Sequence, residues 1–183
     1  MAGIDADLLL RNLEARRQIE SVLARVARGV DRLDRELMTS GYHPDAIDYH
    51  GSFEGSPTEF ADWVIERHTG NIEQCMHFLG QINLEIDGDK ASCESNVVVF
   101  YRMVKEGVPY DMLSPGRYLD RFECRDGEWK IIERLAMHEK DRLDPVVFKM
   151  QGPFVDMLSK ARRDKEDPSY AFFSGAPMPR AKA

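Results

Sequence analysis

The spacing of apolar residues changes once along this chain, near Gly70, and that change limits the fold more than any other feature. Before it, Leu13, Ile19, Val22, Leu23, Val26 and Val30 fall mostly at helical spacing, with Arg and Glu between them. After it come runs such as Val97-Val98-Val99-Phe100-Tyr101, rich in β-branched and aromatic residues. These runs are divided by Asp87-Gly88-Asp89, Glu106-Gly107 and Asp126-Gly127, the residues that tight hairpins demand. Helices followed by long antiparallel strands make an α+β layout, a curved sheet with N-terminal helices packed on it.

In more detail, a helix is expected over residues 9–30, with a second helical stretch or a continuation over 31–38. Gly41-Tyr42-His43-Pro44-Asp45 reads as a turn, 46–50 as a short extended segment and 51–57 as a loop. Ser56-Pro57-Thr58-Glu59 has the form of a capping box with proline at the first helical position. The helix it starts shows an apolar side of Phe60, Trp63 and Val64, with His68 near its end. About four long strands are expected, over 75–86, 91–104, 110–124 and 129–137, the third bent at Ser114-Pro115-Gly116.

The chain has 183 residues, enough for about one domain. Residues 1–143 read as that domain and 144–183 as a C-terminal tail. The tail carries a short amphipathic stretch from Gly152-Pro153-Phe154, a charged run over 164–167 and an aromatic cluster, Tyr170 to Phe173. Its end, 175–183, is expected to fray. Phe154, Leu158, Phe172 and Phe173 need a surface to cover, as a lid over a pocket or against a neighbouring subunit.

Lys and Arg number 25 against 32 Asp and Glu, a net charge of −7. No basic field exists to attract phosphates, so neither nucleic acid nor an anionic membrane is an expected partner. No apolar run reaches the ~18 residues that a membrane span needs. The start of the chain has neither a basic n-region nor a cleavage site, so no secretory signal is expected. Cys75, Cys93 and Cys124 are far apart, and each falls in an expected strand. They read as buried free thiols in a reducing cytoplasm.

Five histidines are present, none paired at HxxxH or HxH spacing, and no metal site is expected. There is no GxGxxG, GxxxxGK[ST] or GxSxG, hence no signal for a nucleotide cofactor or a hydrolase elbow. What remains are isolated polar residues in apolar surroundings: Asp31, His77 and Arg134. Each has an ordinary local reading. Asp31 fits a solvated helix carboxylate, or one half of a surface pair with Arg35, a contact worth little. His77, between Met76 and Phe78, fits a half-buried strand histidine. Arg134, with Ile132 and Ala136 on its own face, fits a partner for Glu123 or Glu133. Neither composition nor period joins the three.

A resemblance does. Arg28-Gly29-Val30-Asp31, Tyr42-His43-Pro44-Asp45-Ala46, Met76-His77-Phe78-Leu79-Gly80, the segment from Gly116-Arg117-Tyr118 to Glu123, and Arg125-Asp126-Gly127-Glu128-Trp129 resemble the SnoaL-like branch of the nuclear transport factor 2-like superfamily. The match spans roughly residues 10–140. It implies an α+β cone, an antiparallel sheet curved around a deep apolar cavity. Within the superfamily the chain is most similar to cofactor-free lyases. These include scytalone dehydratases, bile-acid 7α-dehydratases, hexachlorocyclohexane dehydrochlorinases and lyases that release formaldehyde from lignin-derived diaryl compounds. The resemblance implies a His77–Asp31 catalytic dyad, with Arg134 as a third catalytic group. A lysine of the dehydrochlorinases falls on Val26 here, and a tyrosine of scytalone dehydratase on Val30, so neither substrate chemistry carries over. Tyr49, His50, Glu94, Tyr118 and Trp63 are candidates for the substrate-binding wall.

The chemistry expected is a cofactor-independent lyase reaction on a hydrophobic, aromatic or polycyclic small molecule. A neutral imidazole can take a proton, and a carboxylate on its other nitrogen fixes the tautomer and stabilises the imidazolium. Arg134 would hold a departing oxyanion or halide, or a phenolate. The alternative is a non-catalytic binding or assembly module, such as the small subunit of a ring-hydroxylating dioxygenase, because one fold serves many functions. The resemblance also implies a homo-oligomer, a trimer ahead of a dimer.

Overall fold

The structure, a computed structural model, describes residues 5–177. The expected fraying of the chain end falls largely on 178–183, outside the described residues. Helix α1 (Ala6–Arg32) is capped by Asp5, whose side chain accepts from the backbone N–H groups of Asp7 and Leu8. It ends at Leu33, in the left-handed conformation with φ 52°. Short α2 (Arg35–Thr39) follows immediately, capped by Asp34. The two helices meet closely at Gly29, where a Cβ would lie 2.6 Å from the Met38 backbone nitrogen. Only glycine permits that approach, which sits two residues before Asp31.

Next come β1 (Tyr42–His50), β2 (Phe53–Gly55) and α3 (Pro57–His68). In α3 the Ser56–Glu59 capping box is present with Pro57 beside it. The segment 42–45 is strand rather than turn, and part of the expected loop is β2. Pro44 is tolerated where a break in the β1–β6 register, between Tyr42 and Ile47, leaves its missing N–H unneeded.

Four long strands follow: β3 (Ile72–Asp87), β4 (Lys90–Lys105), β5 (Val108–Arg125) and β6 (Glu128–His138). They form an antiparallel meander. The Glu106-Gly107 and Asp126-Gly127 turns have positive φ at both residues, the geometry that matches strand twist. The sheet order is β2-β1-β6-β5-β4-β3, with β1 parallel to β6 and a short β7 (Arg142–Pro145) paired with β5. Helices α1 and α3 cover the inner face. One core cluster joins Ile19 and Leu23 of α1 to Phe122 and Ile131 of the sheet. A second joins Phe60 and Val64 of α3 to Val97, Val99 and Tyr118. This is an α+β fold of the nuclear transport factor 2-like type. No helix among the described residues is long and apolar enough to cross a membrane.

The tail adds α4 (Pro153–Met157) and α5 (Pro168–Phe173). Part of it packs on its own chain. Arg28 donates to Ser169 and lies 4.8 Å from the Tyr170 ring centroid, and Tyr170 donates to Asp34 at 2.7 Å. Phe154 and Phe173 remain exposed.

Candidate active site

Strand alternation decides what reaches the interior. Along β3, Cys75 and His77 turn inward while Met76 and Phe78 are exposed. His77 therefore meets Asp31, which lies in the last turn of α1. The His77 Nδ1 is 2.7 Å from the Asp31 Oδ1. The two carboxylate oxygens also accept the His77 backbone N–H, at 3.1 and 3.2 Å. Both side chains are largely buried, His77 at 5% exposure and Asp31 at 12%. An ionised carboxylate only accepts, so Nδ1 carries the proton and Nε2 keeps its lone pair. Arg35, the local candidate partner for Asp31, pairs with Asp62 instead.

His77 opens onto a cavity of about 430 Å³ between α1, α3 and the sheet. Phe60, Trp63, Val64, Tyr101 and Met112 supply apolar wall. His50, His68, Tyr118 and Arg134 bring polar groups to the same space. Of the residues expected from the sequence, His77, Arg134, His50, Tyr118 and Trp63 all line it, with Asp31 behind His77.

Tyr49 and Glu94 do not. Tyr49 alternates with inward-facing Asp48 and His50, so its side chain points to the outer face. Glu94 lies between buried Cys93 and Ser95 on β4 and likewise points outward, paired with Arg117 at 2.9 Å. The expectation that these two form cavity wall is corrected by the same rule of two.

Arg134 faces inward because of a bulge. From Trp129 and Ile131, strict alternation would turn Glu133 and Leu135 inward. The β5–β6 register slips between Arg121 and Phe122, so Arg121 faces Glu133 while Phe122 faces Ile131. The extra residue on β6 reverses the parity, and Arg134 is buried at 3% exposure. Its partner is Asp120, not Glu123 or Glu133: Nε and Nη2 donate to the carboxylate at 2.7 and 2.9 Å. The guanidinium also stacks 4.2 Å from the Tyr118 ring centroid. Burial pushes the Asp120 carboxyl up, against the pull of Arg134. Burial likewise pushes the Tyr118 phenol up, so it remains an O–H donor. Nη1 of Arg134 has no hydrogen bond among the described residues, and Arg134 lines the cavity.

Sequence reasoning missed several members. Asp120 sits between Tyr118 and Phe122 in an inward-facing i, i+2 series, a signal that could have been read. Asp48 is fully buried and accepts from the Tyr42 hydroxyl at 2.7 Å. Its other oxygen lies 3.4 Å from His50 Nδ1, and neither atom has a hydrogen-bond partner among the described residues. Arg163, from the tail, reaches the dyad end with no local sequence signal.

Asp31, Cys75 and His77 also offer ligand-type atoms within 4.8 Å of one another. Binding a metal there would break the Asp31–His77 hydrogen bond. Burial and then Asp31 push the Cys75 thiol up. As the three stand, Asp31 and His77 are hydrogen-bonded and the Cys75 Sγ lies 3.9 Å from His77 Nδ1.

An N-terminal helix on a bent, mostly antiparallel sheet with an acid–imidazole pair in the enclosed cavity defines a class of small α+β cone proteins. The SnoaL-like domain model matches residues 11–135, and the chain belongs to that family. An uncharacterized protein of Mycobacterium tuberculosis is 30% identical over 139 residues, covering 73% of this chain and 92% of its own length. A hexachlorocyclohexane dehydrochlorinase from Novosphingobium barchaimii superposes with a TM-score of 0.66 at 20% identity, over 79% of this chain and 98% of that one. A Novosphingobium aromaticivorans protein provisionally named a scytalone dehydratase gives 0.63 at 21% identity, over 72% and 89%. At these identities the two structures establish a shared fold.

Proposed function

We propose that this protein is a cofactor-independent lyase acting on a hydrophobic, aromatic or polycyclic small molecule. The observation that carries the reading is the 2.7 Å Asp31–His77 contact, which leaves an unshared Nε2 lone pair at the wall of an apolar cavity. In the proposed step, His77 Nε2 takes a proton from a substrate carbon. The freed electron pair forms the double bond, and the β substituent leaves with the electrons of its own bond. Asp31 stabilises the imidazolium that forms. Arg134 Nη1 and the Tyr118 hydroxyl stand ready to hold a departing oxyanion or halide, or a phenolate. Dehydration and dehydrohalogenation follow this step; in formaldehyde release from a lignin-derived diaryl compound His77 would instead take the hydroxymethyl O–H proton, the C–C bond would break to give formaldehyde, and its electron pair would form the double bond as the neighbouring substituent leaves. The dehydrochlorinase and dehydratase names of the structural neighbours support the class, not the substrate.

The test is a panel of aromatic and polycyclic β-hydroxy, β-halo and hydroxymethyl compounds, followed by absorbance and by solvent deuterium uptake at the acidic carbon. Turnover or exchange in the wild type, lost in His77→Ala and strongly reduced in Asp31→Asn, is the expected result. Full activity in His77→Ala would remove the base from the mechanism. Tight binding with no turnover or exchange across the panel would favour the binding-module alternative.

A further inference from the structure

Besides His77 and His50, the cavity holds a histidine whose tautomer is set by the C-terminal tail. His68, at the last position of α3, lines the space that His77 faces. Its Nδ1 lies 3.0 Å from Nη2 of Arg163, a residue of the C-terminal tail. A guanidinium has no acceptor, so Nδ1 must accept and the ring proton must sit on Nε2. Nε2 has no hydrogen-bond partner among the described residues and is not a sealed orphan atom. The ring is held edge-on to Tyr101, centroids 5.8 Å apart. Burial and then Arg163 lower the His68 pKa to about 4, so the ring is neutral at ordinary pH.

Arg163 does more than touch His68. Its Nε donates to the main-chain carbonyl of Asp31 at 3.1 Å, Nη2 to that of Val30 at 3.1 Å, and Nη1 to that of Ile72 at 2.9 Å. Val30 and Asp31 lie at the end of α1, where helix carbonyls run out of intrahelical donors; the Val30 carbonyl also accepts from the Leu33 N–H at 3.3 Å. Ile72 begins β3, the strand of His77. One side chain thus ties together the segments that carry the acid, the base and His68.

We infer that Arg163 is a positioning residue that fixes His68 as the Nε2–H tautomer, making His68 the neutral hydrogen-bond donor to an oxygen substituent, phenolic or carbonyl, of the bound molecule. The inference rests on the reading of the cavity as a small-molecule site. It gives His77 and His68 opposite roles: His77 presents a lone pair at Nε2 and His68 presents a proton there. A lysine at 163 could not reproduce this, because an ammonium cannot span three carbonyls and a ring nitrogen in one plane.

Two-bond 1H–15N spectra of the full-length labelled chain report each tautomer directly, without a substrate. The expected wild-type pattern is Nδ1–H for His77 and Nε2–H for His68. Arg163→Ala and Arg163→Lys should both return His68 to a mixture of tautomers with a raised pKa, and circular dichroism checks their fold. A wild-type His68 protonated at Nδ1 overturns the inference whatever the variants do, and so does an unchanged pattern in a folded variant. Titration with 2-naphthol then tests the donor role. It should shift the His68 Nε2 signal, and His68→Phe should weaken binding by roughly tenfold, the loss of about one hydrogen bond. Naphthol that shifts His77 but not His68 overturns the donor role. Naphthol that shifts neither counts against the ligand class, while the tautomer result is unaffected by whether the lyase reading holds.

Discussion

Two parts of the cavity wall each place a buried carboxylate against a nitrogen-bearing side chain, but the consequences differ. In one, Asp31 holds an imidazole and leaves its second nitrogen open to the cavity. In the other, Asp120 holds the Arg134 guanidinium through two donors, leaving one terminal nitrogen without a hydrogen bond among the described residues. An imidazole can give and take a proton; a guanidinium cannot. The first part suits proton transfer and the second suits holding negative charge.

Substitutions that separate chemistry from stability break or sharpen this contrast. The largest effect expected is in His77→Ala, a loss of roughly 10²–10⁴-fold in turnover of any substrate found. The backbone N–H of residue 77 still reaches Asp31 in that variant, so the melting temperature should move little. An equal collapse of both quantities would mean that the dyad is structural. Asp120→Asn should do the reverse. It leaves a buried charge uncompensated and should cost about 3–5 kcal/mol in urea unfolding; near-wild-type stability would show that Arg134 finds another acceptor.

Acidification should separate the two parts further. The His68 pKa falls from its ordinary 6.5 to about 4 on folding. Between those values the unfolded chain binds the extra proton and the folded chain does not, so stability should fall as pH drops through that window. The loss is ~3 kcal/mol at most, and His68→Gln should flatten that part of the stability–pH curve. An unchanged slope would place the acid sensitivity elsewhere. Smallest is Tyr42→Phe, which removes the hydroxyl that satisfies buried Asp48 and should cost about 1–3 kcal/mol. A neutral result would point to His50 Nδ1, 3.4 Å from the other oxygen, closing on Asp48 in its place.

Much of the scaffold could be read along the chain. The helical spacing from Leu13 to Val30, the Ser56 cap and the Gly-containing hairpins depend on local backbone geometry, and local geometry leaves local traces. Strand β1 could not be read that way. Tyr42-His43-Pro44-Asp45 carries turn residues, and β6 pairing at Tyr42 and again from Ile47 to Tyr49 holds the segment between them extended. Asp31 and His77 were joined by resemblance to a family; their alternation and helix position are compatible with contact but do not require it. Tyr49 and Glu94 show the opposite case, where the strand period, applied strictly, would have placed them outside.

The amino-acid order by itself determined that helices precede a meander of long strands, because hydrophobic period and turn chemistry act over a few residues. Only the tertiary structure decided the parity of Arg134, since one bulge on a strand inverts every side chain beyond it. Only the tertiary structure, too, brought Arg163 onto Asp31 across 132 positions of chain. A contact of that kind depends on where two distant segments pack, and no spacing within either segment records it.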